Sequence, residues 1–116
     1  MNYLHVNLFI ELICVGCSLA YAAYISPGPR DLRGEPGQTV TLPCQAHGEP
    51  EPQVFWQHDN NTLRHDDVHY VQRHHDLVIQ GLSAQDAGHY VCTANNGIGP
   101  SAESHIHLNI ECKLSR

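Results

Sequence analysis

Two cysteines and a tryptophan in short alternating segments constrain the fold of this chain most strongly. Cys44, Trp56 and Cys92 each stand in a run in which apolar residues recur at every second position. Because successive side chains of a strand point to opposite faces, this period places all three on inward faces of β-strands. Tyr90 shares the inward face of Cys92. The sequence therefore predicts an all-β domain with these four residues in its core.

The chain from residue 24 onward continues this pattern. A helical period of 3.6 residues does not persist anywhere along it, and segments rich in Pro, Gly and Asn separate the apolar runs. Short apolar runs separated by turn-forming segments are typical of an antiparallel β-sandwich. The predicted strands include 39–46, 53–58, 77–79, 89–94 and 105–110, and the predicted breaks are 26–29, 34–38, 47–52, 58–61 and 95–101.

The length of 116 residues, with 41% apolar and 16% charged residues, suits one globular domain and contains no run long enough to span a bilayer. Residues 1–22 are predicted to be a signal peptide, because they contain a short apolar stretch and end in Ala20-Tyr21-Ala22, with small residues where signal peptidase requires them. An N-terminal helix or a membrane anchor is the alternative. Residues 23–111 then form the domain and 112–116 a C-terminal tail.

Cleavage after Ala22 would remove Cys14 and Cys17, so their spacing is not interpreted as a redox or zinc motif. Three cysteines would remain, of which two are expected to pair in an oxidising compartment. Loss of Glu11 would leave 11 acidic residues against 6 Lys and Arg, a net charge of −5 with histidine neutral. This charge argues against nucleic acid and other polyanions as partners.

The order of the inward residues Cys44, Trp56 and Cys92, with Tyr90 two positions before the second cysteine, is an immunoglobulin-fold signature. The chain resembles an immunoglobulin domain of the intermediate, or I-set, type. The resemblance implies two packed sheets with an A′ strand and without a C″ strand, joined by a Cys44–Cys92 disulfide that stabilises the fold by ~4 kcal/mol on the chain-entropy model. The family occurs mainly in cell-surface adhesion molecules, receptors and matrix proteins. The resemblance extends over about residues 25–111 and rests on Gly37, Val40, Leu42, Cys44, Ala46, Gly48, Pro50, Pro52, Trp56, Leu63, Leu77, Ile79, Leu82, Asp86, Gly88, Tyr90, Cys92, Ala94, Asn96 and Gly99.

The segment DAGHYVC, residues 86–92, is interpreted as a tyrosine corner. Tyr90 stands two residues before the second cysteine, where its hydroxyl would bond to upstream backbone. Gly88 permits a close approach of two chain segments. Asp86 can accept hydrogen bonds or pair with a cation, and Arg73 is the predicted partner.

Catalysis has little support in this sequence. It lacks a Gly-rich phosphate loop, a nucleophile elbow and an H-E-x-x-H motif, so no catalytic residue and no cofactor are predicted. The string His74-His75-Asp76 is predicted to lie in an exposed turn just before a strand.

Histidine is abundant, with 10 in the chain. Nine follow the predicted leader, and protonating all of them would change the charge from −5 to +4. His89, His105 and His107 are predicted to project from one sheet face, where three imidazoles could bind Zn²⁺. The plainer interpretation, that they are exposed residues without a metal, is preferred, and no metal site is predicted.

The same sheet face is the predicted binding surface. It has few charges and contains an exposed aromatic residue, and interfaces favour aromatics and exclude charges from their centres. The alternative is that Phe55 is a single exposed apolar residue, which is common. The predicted face consists of Phe55, Gln57, His89, Val91, Thr93, His105 and His107.

Asn60-Asn61-Thr62 is an acceptor sequence for N-glycosylation, predicted to be occupied at Asn60 in an exposed turn. Cys112 is predicted to remain free, to form a disulfide-linked dimer, or to pair with sequence outside this chain.

The sequence thus predicts a secreted, non-catalytic recognition module for protein–protein binding in adhesion or signalling. Its partner would be a protein ligand or a second copy, and the mature chain would not insert into a membrane. One alternative is an N-terminal fragment of a multidomain adhesion receptor or matrix protein, at the cell surface. The other is a secreted protein that sequesters a peptide hormone or growth factor.

Overall fold

The computed structural model describes residues 13–15, 18–64 and 68–112. Most of the predicted leader, 1–12 and 16–17, and the end of the predicted tail, 113–116, lie outside the described residues. No helix in the described ranges is long and apolar enough to cross a membrane. The strands are β1 (Ile13–Val15), β2 (Ser18–Ile25), β3 (Asp31–Gly34), β4 (Val40–Leu42), β5 (Ala46–Glu49), β6 (Gln53–His58), β7 (Asn61–Thr62), β8 (Tyr70–Arg73), β9 (Asp76–Ile79), β10 (Gly88–Asn95) and β11 (Ala102–Ile110), with a 3₁₀ helix at Ala84–Asp86.

These strands form the predicted all-β sandwich. One sheet has the order β3-β11-β10-β6-β7, and another has the order β4-β9-β8. Strands β1, β2 and β5 form a third, three-stranded sheet. All pairs are antiparallel except β3 with β11, which is parallel and corresponds to the A′ strand that the resemblance implies.

The predicted strand 39–46 is divided into β4 and β5. Pro43 has no N–H to donate to a ladder, and the N–H of Cys44 donates to the Asp76 carboxylate at 2.9 Å instead. Strand β4 pairs with β9, whereas β5 pairs with β2. The prediction of one continuous strand was therefore wrong, although every second residue remains buried through the break.

The core lies between the sheets and contains the residues that the alternation predicted. Trp56 and Tyr90 are its largest fully buried side chains, and Cys44 and Cys92 form a disulfide with their Cα atoms 6.4 Å apart. The predicted pairing is confirmed. The indole N–H of Trp56 donates to the carbonyl of His75 at 3.0 Å, so the one polar atom of this side chain is satisfied.

Strand β2 extends across the predicted cleavage point. Ala20 is buried, and the carbonyl of Tyr21 accepts a hydrogen bond from Asn96 Nδ2 at 2.8 Å. Cleavage after Ala22 would leave only the last three residues of β2 to pair with β5. The leader stays a prediction, and its removal would shorten this strand.

Candidate protein-binding face

A tyrosine corner fixes the start of β10. Tyr90 is fully buried, and its hydroxyl donates to the backbone carbonyl of Asp86 at 2.6 Å. The imidazole of His58 stacks on the Tyr90 ring with centroids 4.2 Å apart, and His58 Nε2 lies 2.9 Å from the carbonyl of Ala87. Burial raises the pKa of Tyr90, so this hydroxyl remains a donor.

The carboxylate of Asp86 is buried and fully hydrogen-bonded. It accepts from His69 Nε2 at 2.8 Å, from the Tyr70 hydroxyl at 2.9 Å and from the Ser83 N–H at 2.9 Å. Burial alone would raise the pKa of Asp86, but these hydrogen bonds outweigh it and hold the pKa below the ordinary value. The ionised carboxylate therefore stabilises the corner.

The predicted pairing of Asp86 with Arg73 is wrong. Arg73 is the last residue of β8 and stands opposite Asp76, whereas Tyr70 at the other end of the strand reaches Asp86. Arg73 stands at the end of β8 far from the corner, and the imidazole of His69 contacts the Asp86 carboxylate instead.

Gly88 stands where β10 meets the end of β6. Its φ of +138° is one that L side chains rarely adopt, and a Cβ there would lie 2.7 Å from the Asp59 carboxylate. That carboxylate accepts the N–H of His89 at 3.0 Å. The absence of a side chain at Gly88 thus allows Asp59 to join the two strands.

The outer face of the five-stranded sheet, hereafter the outer face, contains the predicted binding residues. Phe55 is 41% exposed on β6, opposite Thr93 of β10. Val91 and Thr93 point to this face but are only 7% and 8% exposed. Each has a ladder partner on both sides, Gln57 and His105 for Val91 and Phe55 and Glu103 for Thr93, so these two positions add little exposed surface to the face. The exposed or partly exposed members are Phe55, Gln57, His89, His105 and His107.

One charged residue of the outer face was missed by the sequence analysis. Glu103 stands opposite Thr93 in the ladder of β10 with β11, and its carboxylate lies 3.3 Å from His105 Nε2. The period of two along β11 was the signal that could have found it, since Glu103 has the same parity as His105 and His107.

Two of the three predicted outer-face histidines are in contact. His89 Nε2 lies 2.9 Å from His105 Nδ1, and the rings stack with centroids 4.9 Å apart. If His105 Nε2–H donates to Glu103, neutral His105 must accept at Nδ1, so His89 is the donor. His107 is the ladder neighbour of His89, but the imidazole bond runs diagonally to His105. His89, His105 and Glu103 thus form a chain of hydrogen bonds that ends on the Glu103 carboxylate.

Two other predicted positions are exposed. Asn60 lies in the turn between β6 and β7 with a φ of +72°, and the Thr62 of its acceptor sequence is also exposed. Cys112 is exposed and has a free thiol.

The prediction of an exposed turn at 74–76 holds only for His74, since Asp76 is the half-buried first residue of β9. His74 is exposed, but His75 is only 6% exposed, and its Nε2 lies 3.2 Å from a carboxylate oxygen of Glu51. No local motif indicated this contact, because Glu51 belongs to a different loop.

A disulfide across the core, a buried tryptophan and a tyrosine corner together define an immunoglobulin-type sandwich. The family model described as "Immunoglobulin I-set domain" matches residues 23–110. The chain belongs to the immunoglobulin I-set family, whose domains are typically non-catalytic.

Similar proteins include hemicentin-2 of Mus musculus, 36% identical over 87 residues, which is 74% of this chain and 2% of that protein. The human protein "Cell adhesion molecule-related/down-regulated by oncogenes" is 36% identical over 77 residues, 66% of this chain and 6% of that protein. Among solved structures, "Tandem Ig repeats of Dlar" matches with a TM-score of 0.72 and 27% identity, over 78% of this chain and 49% of that one. The chain therefore spans a small part of the curated relatives that it matches.

Proposed function

We propose that this domain is a non-catalytic, extracellular protein-binding module that uses the outer face. The observation on which the proposal rests is Phe55, a large aromatic side chain 41% exposed on a regular strand. Its immediate neighbours on the face are Gln57 and the largely covered Thr93, which are uncharged. Burying an aromatic side chain on such a surface is the usual way in which a small set of residues supplies most of the binding energy.

Two further observations support an extracellular role. The domain has a core disulfide, and such bonds persist mainly in oxidising compartments. The family match also begins at residue 23, directly after the predicted leader. Secretion and cleavage after Ala22 can be checked by N-terminal sequencing of the protein recovered from the culture medium, which should begin at Ala23. A mature protein that begins at Met1 would contradict this part of the proposal.

The partner is proposed to be a protein, either a second copy or a ligand on a cell or matrix surface. Purified domain would be coupled to beads of two colours, so that bead clustering measures homophilic contact and binding to cells or deposited matrix measures heterophilic contact. Phe55→Arg should abolish whichever signal the unaltered domain gives, because it replaces the exposed aromatic side chain on which the proposal rests with a charged one.

Val68→Arg is the matched control. Val68 is 81% exposed and precedes β8, so the substitution adds the same charge to an exposed apolar position outside the outer face. Retention of binding by Phe55→Arg, or equal loss with both variants, would overturn the proposal.

A second candidate role is that of one domain within a longer adhesion or matrix protein. It is favoured by the relatives, of which this chain spans 2% and 6%. The exposed thiol of Cys112 is then proposed to pair outside the domain or between two copies. Light scattering with and without reductant separates these outcomes, since only a dimer linked through Cys112 dissociates on reduction.

A further inference from the structure

Three potential metal ligands meet where two turns of the sandwich approach each other. Glu51 precedes β6, and His74 with His75 forms the turn between β8 and β9. One ligand atom from each residue lies within 4.8 Å of the others. The two imidazole rings stack with centroids 3.9 Å apart. Sequence analysis did not associate Glu51 with these histidines.

The backbone beneath the two histidines is held by the core. The carbonyl of His75 accepts the indole N–H of Trp56 at 3.0 Å. The carbonyl of His74 lies 3.2 Å from Gln72 Nε2, which also donates to the carbonyl of Val54 at 3.1 Å. Since these bonds do not involve the imidazole nitrogens, the turn positions both rings without using their ligand atoms.

The conformation of His74 is unusual for its residue type. Its φ is +56° in a two-residue turn between the paired residues Arg73 and Asp76. Glycine or asparagine is favoured at such a position, and other L residues are uncommon there. Backbone strain of this kind clusters at functional sites.

The loop that presents Glu51 is also anchored. Glu51 lies between Pro50 and Pro52, whose rings restrict φ on both sides. The carbonyl of Pro50 accepts a hydrogen bond from Asn96 Nδ2 at 3.0 Å. The Glu51 side chain itself is 68% exposed, so it can rotate toward an ion while its backbone stays in place.

One ligand separation already approaches that of a tetrahedral first-row cation, and the others are within 4.8 Å. Zn²⁺ binds imidazole nitrogen and carboxylate oxygen at about 2.0–2.2 Å, which puts neighbouring tetrahedral ligands about 3.3–3.6 Å apart. The 3.2 Å between His75 Nε2 and Glu51 is already close to that separation. A cleft of about 430 Å³ opens beside all three residues, which leaves room for a water as the fourth ligand.

We propose that Glu51, His74 and His75 bind one Zn²⁺ ion with an open fourth position. Two neutral imidazoles and one carboxylate are a donor set found in zinc sites that keep a water ligand. The ion would replace the direct contact between His75 Nε2 and the Glu51 carboxylate. It would also connect the loop before β6 to the turn before β9. This inference does not depend on the outer face being a binding surface.

The test uses the full chain without a polyhistidine tag, with Cys14, Cys17 and Cys112 each replaced by serine so that no cysteine outside the Cys44–Cys92 disulfide can bind metal. After removal of metal by a chelator, ZnCl₂ is titrated at neutral pH by calorimetry. We expect one equivalent bound per chain. At free Zn²⁺ about 100-fold above the dissociation constant, the unfolding equilibrium constant should fall by about 100-fold.

Two variants identify the ligands. Glu51→Gln removes the carboxylate charge with little change of shape, and His74→Asn keeps a residue that tolerates positive φ. Each should weaken Zn²⁺ binding by at least about 10-fold, since even residues that only orient metal ligands have effects of this size. Circular dichroism of the metal-free variants verifies that both remain folded.

His89→Asn is the matched control, because His89 belongs to the other histidine contact, on the outer face. It should leave the Zn²⁺ affinity unchanged. Absence of stoichiometric binding by the starting protein, or binding unaffected by both Glu51→Gln and His74→Asn, would overturn the proposal. Loss of binding in His89→Asn alone would do so as well, because it would move the metal to the outer face.

Discussion

The side chains on the inner and outer faces of β10 are subject to different structural constraints. On the inner side Tyr90, Cys92 and Ala94 have no exposed surface, and the first two make a hydroxyl-to-backbone bond and a disulfide. On the outer side His89 is exposed, while Val91 and Thr93 are buried between their ladder partners on β6 and β11. The inner side therefore specifies the family, and the outer side is where members of one family can differ in partner.

The largest expected effect on stability is loss of the disulfide. Replacing Cys44 and Cys92 together by alanine should lower the free energy of unfolding by ~2–5 kcal/mol, measured by denaturant unfolding. Cys112→Ser is the control, because Cys112 is exposed and unpaired in the described fold, and it should change stability by less than ~0.5 kcal/mol. A double alanine variant as stable as the control would contradict the importance given to the inner side.

Asp86→Asn is expected to have the next largest effect. It removes the charge from a carboxylate with three hydrogen-bond donors. Asparagine keeps one acceptor oxygen but presents an NH₂ group in place of the other, so the expected loss is ~1.5–3 kcal/mol, the contribution of one hydrogen bond to a charged group. Because the pKa of Asp86 is lowered in the folded state, its stabilisation is present above the unfolded pKa of ~3.9 and is lost as the pH falls through the folded value.

The difference between Asp86→Asn and the unaltered protein should therefore be greatest near neutral pH and shrink below about pH 4. Unfolding curves over a pH series measure it. Asp31→Asn, at an exposed aspartate of β3, should show no comparable pH dependence. A difference that stays constant from neutral to acidic pH would argue against an ionised Asp86 as the stabilising species.

Tyr90→Phe tests the corner hydroxyl alone. The ring stays in the core while the carbonyl of Asp86 loses its donor at 2.6 Å, so the expected loss is ~1 kcal/mol. Tyr24→Phe is the control, because Tyr24 is 52% exposed. If Tyr90→Phe and Tyr24→Phe unfold at the same denaturant concentration, the hydrogen bond from Tyr90 to the carbonyl of Asp86 makes no net contribution to stability.

The smallest effect on stability is expected from Phe55→Arg on the outer side. Exposed positions usually tolerate substitution within ~0.5 kcal/mol, so this variant should unfold like the unaltered protein while losing partner binding. A loss of stability well above that amount would show that Phe55 contributes to the packing of the sheet. The contrast between the inner and outer sides of β10 would then be weaker.

The inner side could be predicted from sequence because its constraints are periodic and local. Cys44, Trp56, Tyr90 and Cys92 were placed in the core by alternation alone, and the structure puts each of them there. The strand break at Pro43 could not be found in this way, because the alternation of apolar residues continues through it.

The remaining errors concern contacts between segments distant in sequence. The partner of Asp86 depends on which end of β8 reaches the corner, and no pattern in the sequence fixes that register. The burial of Val91 depends on the size of side chains on two other strands. The contact of His75 with Glu51 joins two loops that come together only once the sheets have packed.

The strand that crosses the predicted cleavage point has a consequence for the edge of its sheet. In the full chain Glu49 of β5 is the ladder partner of Tyr21, so removing residues 1–22 would leave the end of β5 with unpaired backbone groups. Such an edge is a template for strand addition from another polypeptide. Faster amide hydrogen exchange at 47–49 in a chain that begins at Ala23 than in the full chain would reveal it. Maturation by signal peptidase would then do more than release the domain, since it would also open a second place at which a partner can join.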